Sequence, residues 1–126
     1  MSHDVSDEQW GEQSFEVIDH CGFNVPTVDF PICFLMDENL SDSAKMIFAR
    51  ILAISENSGD RFDPIEYGKR YDVAVLEVDS DLKELKDLGF LKFRGRSITV
   101  NDWVNIYGDR IRMGWKDLCM ERDGNV

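Results

Sequence analysis

The chain has 126 residues, enough for one small domain with a single core, and 43% of them are hydrophobic. Its net charge of -11 is concentrated in residues 1–60, which hold 12 acidic and 2 basic side chains, against 13 and 12 in residues 61–126. That balance argues against a protein that condenses on nucleic acid through bulk positive charge, because neutralising phosphates supplies most non-specific affinity.

Residues 1–22 are polar and acidic (Asp4, Asp7, Glu8, Glu12, Glu16, Asp19), with isolated Trp10, Phe15, Val17 and Ile18, and read as a flexible arm. The start lacks the basic and apolar run of a signal peptide, and no apolar stretch reaches membrane-spanning length, so a cytoplasmic protein is expected. Cys21, Cys33 and Cys119 are odd in number and without framework spacing, which fits reduced thiols.

From Phe23 to Met36 the chain is apolar and interrupted by Pro26 and Pro31, and Ile32-Cys33-Phe34-Leu35-Met36 reads as a short strand. Ser41 then caps a helix in which Ala44, Ile47, Phe48, Ile51, Leu52 and Ser55 recur at three and four residues, with a stop at Asn57-Ser58-Gly59-Asp60. A second, short helix begins at Asp63-Pro64-Ile65-Glu66 and ends near Arg70. Asp63 suits its cap, Pro64 its first position, and Glu66 a reach back to the cap backbone. After Tyr71-Asp72-Val73, a third helix runs to about Leu88 with Val75, Val78, Leu82, Leu85 and Leu88 facing inward, and Gly89 stops it. Phe90-Leu91-Lys92-Phe93, Arg94-Gly95-Arg96-Ser97 and Ile98-Thr99-Val100 form a hairpin with a basic tip. A last helix over Asp102 to Arg122 places Trp103, Ile106, Tyr107, Ile111, Trp115 and Leu118 on one side, although Gly108 and Gly114 weaken its continuity.

Strand, three helices and hairpin in this order resemble the winged helix-turn-helix family. The densest match is Val78-x3-Leu82-x2-Leu85-x3-Gly89-Phe90-Leu91, where the third helix runs into the wing. The stretch from Ile32 to Lys45 is similar to the lead-in of winged-helix domains in plasmid and phage replication proteins. The resemblance covers roughly residues 30–100. It implies an α+β, mostly α fold, with a winged-helix domain over residues 23–101. Residues 102–126 would then add a C-terminal amphipathic helix, packed on the core or forming a homodimer seam.

In DNA-binding members of that family the start of the third helix enters the major groove. Here residues 72–87 carry Asp72, Glu77, Asp79, Asp81, Glu84 and Asp87 against Lys83 and Lys86, a balance of -4 that phosphates would repel. Residues 88–116 carry Lys92, Arg94, Arg96, Arg110, Arg112 and Lys116 against Asp102 and Asp109, a balance of +4. Both charge groups also fit ordinary solvated faces.

No catalytic constellation, phosphate loop or cofactor is expected: His3 and His20 are the only imidazoles, and His20-Cys21 with Cys33 or Cys119 lacks zinc-site spacing. The reading is a non-enzymatic interaction module of a phage or mobile element. It is expected to bind a protein partner through Glu77, Asp79, Asp81 and Glu84, in one version as a DNA mimic that inhibits a host nucleic-acid-handling machine. The alternative is a DNA-binding transcription or replication accessory protein using Lys92, Arg94, Arg96, Arg110 and Arg112. A ligand-free dimerisation module is a third reading.

Overall fold

A computed structural model describes residues 14–18, 27–57 and 61–124. The elements are helices α1 (Ile32–Leu35), α2 (Asp42–Asn57), α3 (Pro64–Tyr71) and α4 (Val75–Asp87), then strands β1 (Leu91–Arg94) and β2 (Ser97–Val100). Helix α5 (Trp103–Tyr107), a 3-10 turn (Gly108–Arg112) and helix α6 (Trp115–Gly124) follow. The class is α+β and mostly α, with one two-stranded antiparallel sheet.

Helix α2 starts where its cap predicts: the Ser41 hydroxyl accepts from Ala44 N at 3.2 Å. Its stripe Ala44, Ile47, Phe48, Ile51 and Leu52 is buried, while Ser55 is exposed. Asp63 caps α3 by accepting from Ile65 N and Glu66 N, with Pro64 in the first turn. Glu66 does not reach back; it pairs with Arg70 one turn on, at 2.7 Å. Gly68 is required by close approach, since a Cβ there would stand 2.6 Å from the Val73 carbonyl oxygen. Asp72 ends the helix in the left-handed region at φ 56°.

In α4, Val78, Leu82 and Leu85 are buried as the spacing predicts. Val75 and Leu88, expected inside, are exposed, because the helix meets the core only over its middle turns. Gly89, at φ +88°, turns the chain into the hairpin. Leu91 pairs with Val100, Lys92 with Thr99, Phe93 with Ile98 and Arg94 with Ser97. Each strand is thus one residue closer to the tip than expected. Gly95 supplies the positive φ (+59°) that the two-residue turn needs at its first position.

Two expectations fail. Residues 32–35 form one helical turn rather than a strand: the Met36 N–H donates to Ile32 O at 3.0 Å, and Pro31 stands at the N-cap. A short apolar run does not separate strand from buried helix by periodicity, and here Phe34 decides the matter by entering an aromatic cluster. Its ring lies 5.6 Å from Phe48, 6.2 Å from Phe90 and 5.2 Å from Trp103. The expected continuous last helix is instead broken at Gly108, whose φ 61°, ψ -136° no other residue adopts comfortably.

Trp103 and Tyr107, one turn apart on α5, both face that cluster, Trp103 reaching Phe48 at 5.4 Å and Tyr107 reaching Phe90 at 5.9 Å. Trp115, assigned to the same face from sequence, is 60% exposed. The buried Tyr107 hydroxyl donates to Asp37 Oδ2 at 2.9 Å. Burial, then that bond, pushes its pKa well above the ordinary tyrosine range. The expected arm lies largely outside the described residues; within it, residues 14–18 are exposed and belong to no helix or strand.

Candidate functional site

The four carboxylates singled out on α4 do not form one face. Asp81 and Glu84 turn inward to the start of α2, and Glu77 and Asp79 face solvent. Glu84 accepts from Ser41 N at 2.6 Å and from the Ser41 hydroxyl at 3.0 Å. Asp81, 7% exposed, accepts from the Ser43 hydroxyl at 3.0 Å. Burial raises the Asp81 pKa; the Ser43 bond lowers it, and Glu84 and Glu77 add to the rise. These two acids therefore join α4 to α2 and leave the expected partner-contacting set.

What α4 offers to solvent is an apolar and acidic first turn and a half. Leu76 is 82% exposed and sits beside Val75, Glu77 and Asp79, and no Lys or Arg occurs from Asp72 to Leu82. The first cation, Lys83, pairs with Asp87 at 3.4 Å. Leu76 was legible as an outlier, since it falls off the Val78, Leu82, Leu85 stripe. Val75 was not, because its spacing matches that stripe.

The cations of the second half also divide. Lys92 and Arg94 share the polar face of the hairpin with Ser97 and Thr99, and Arg96 stands in the turn. Among the described residues no carboxylate pairs with any of these three or with Arg112. Arg110 is bound to Glu121 at 3.0 Å, which neutralises it locally.

A cleft of about 390 Å³ lies between the end of α2 and β2, lined by Ile51, Ile54, Arg61, Phe62, Arg96 and Ile98 among others. Sequence patterning missed it, because it depends on Arg61 and Phe62 folding back beside β2.

Cys33 is fully buried, and that burial pushes its thiol pKa up, away from reactive thiolate character. His3, His20 and Cys21 lie outside the described residues. Among the described residues no group of three or more His, Cys, Asp or Glu side chains gathers to hold a metal ion. Likewise, among those residues no helix is long and apolar enough to cross a membrane. No protein-family model, curated protein or solved structure matches this chain.

Proposed function

We propose that the chain is a winged-helix interaction module that grips a protein partner with the first half of α4. The order α2, α3, α4 and hairpin supports the fold assignment, with the hairpin as wing. The observation that carries the function is Leu76, 82% exposed on the helix that would read DNA, beside exposed Glu77 and Asp79, in a stretch from Asp72 to Leu82 that holds no Lys or Arg. Phosphates are repelled by such a surface, whereas a protein with an apolar notch rimmed by Lys and Arg is matched by it. Nucleic-acid-handling proteins carry rims of that kind, which makes them the favoured partner class and charge mimicry the favoured mode. The contact set is Val75, Leu76, Glu77 and Asp79. A photo-crosslinking residue at position 76 should capture a host protein, and the same residue at exposed Lys116 should not. Absence of any adduct from position 76 contradicts the reading.

A second reading rests on the wing. Lys92, Arg94 and Arg96 are exposed, and none is neutralised by a described carboxylate, so the tip suits a DNA backbone. Duplex affinity that falls steeply with salt and disappears in the Arg94→Ala, Arg96→Ala double variant would favour it. No binding at low salt would remove it.

A further inference from the structure

Among the described residues, the wing sheet has an open side. In a hairpin closed by a two-residue turn, Arg94/Ser97 and Lys92/Thr99 are hydrogen-bonded pairs, and the Asn101 N–H to Phe90 O bond of 3.0 Å continues that alternation. The N–H and C=O groups of Ile98 and Val100 therefore point away from β1. Among the described residues they meet no backbone partner, although Arg61 and Phe62 stand across the cleft from them. An open strand edge above an apolar floor of Ile51, Ile54 and Phe62, with guanidinium groups at Arg61 and Arg96, is a seat for an extended acidic and apolar peptide.

The chain contains a segment of that character. Phe15 and Val17 are 63% and 90% exposed, with Glu16 between them, so among the described residues their apolar surface is as unpartnered as the β2 edge. We propose that Phe15–Ile18 of the same chain adds to β2 as a third strand. Phe15 and Val17, two residues apart, then share the face that meets Ile51, Ile54 and Phe62. Glu16 falls on the opposite face, the one that carries Lys92 and Arg94. Charge complementarity selects this occupant: an acidic half supplies the strand and a cationic wing receives it. The nine residues 19–27 reach about 30 Å when extended, comparable with the diameter of a small domain. Seating the segment covers Arg96 and sets Glu16 beside the wing cations, so it screens the wing from phosphate. None of these residues belongs to the α4 face.

Amide hydrogen exchange on the full chain tests this seat. Ile98 and Val100 N–H should exchange at least tenfold more slowly in the wild type than in Val17→Pro and Val17→Asp, while Ser97 and Thr99, which face β1, stay unchanged and report an intact hairpin. Arg61→Glu should weaken the protection of Ile98 and Val100 in the same way. The protection should not depend on protein concentration. Equal exchange of Ile98 and Val100 in all four proteins overturns the proposal. Protection that appears only as concentration rises also overturns it, and assigns the seat to a second copy.

Discussion

Glu84 holds Ser41 by two bonds across 43 residues of sequence, one to its backbone N–H at 2.6 Å and one to its hydroxyl at 3.0 Å. Because the same hydroxyl accepts from Ala44 N, the carboxylate fixes the cap of α2 from the neighbouring helix. Truncating Glu84→Ala is expected to cost about 1–3 kcal/mol, the range for losing charge-assisted hydrogen bonds. Ser41→Ala should cost less on its own. The double variant should lose less than the two together, which denaturant unfolding in a double-mutant cycle would measure.

Asp81 works against stability when ionised. Its folded pKa lies above the ordinary value of 3.8, chiefly because it is buried, so the native state holds the proton more tightly than the unfolded chain does. Stability from this group is therefore complete below about pH 4 and is lost as pH rises through the raised folded pKa. Asp81→Asn, which still accepts from the Ser43 hydroxyl, is expected to raise the melting temperature at pH 7. The gain should vanish near pH 3, where both forms are neutral. A pH series of thermal melts checks the sign.

Gly68 has no room for a methyl group, with the Val73 carbonyl oxygen 2.6 Å from where a Cβ would sit. Gly68→Ala should therefore destabilise by about 1–3 kcal/mol, despite the helix propensity that alanine adds. The neighbouring exposed Lys69→Ala is the control and should change stability by less than about 0.5 kcal/mol. Urea midpoints of the two variants separate the outcomes.

Much of this architecture is written in local pattern. The cap at Ser41, the Asp63-Pro64 start and the Gly89 stop are short-range signals, and each marks the element boundary it implies. The inward turn of Asp81 was partly legible, since it lies three residues after Val78 and next to Leu82, on the buried side of a 3.6-residue repeat. Its partner was not, because nothing local points to Ser43, 38 residues away. The helical turn at 32–35 was hidden for the same reason, and Gly108 marked a weak point in the last helix without showing how the chain turns there. Both are settled by Phe34, Phe48, Phe90, Trp103 and Tyr107 meeting in one aromatic cluster, a long-range event.

The central claim is that α4 meets protein and not DNA. Affinity capture from a cell lysate tests it most directly, comparing the wild type with a Leu76→Arg, Glu77→Lys, Asp79→Lys variant and an Arg94→Ala, Arg96→Ala variant. All five positions are exposed, so the fold should survive in each, as matched thermal melts would show. The wild type and the wing variant should retain the same protein, and the α4 variant should lose it. A protein retained by the α4 variant and lost by the wing variant would contradict the account.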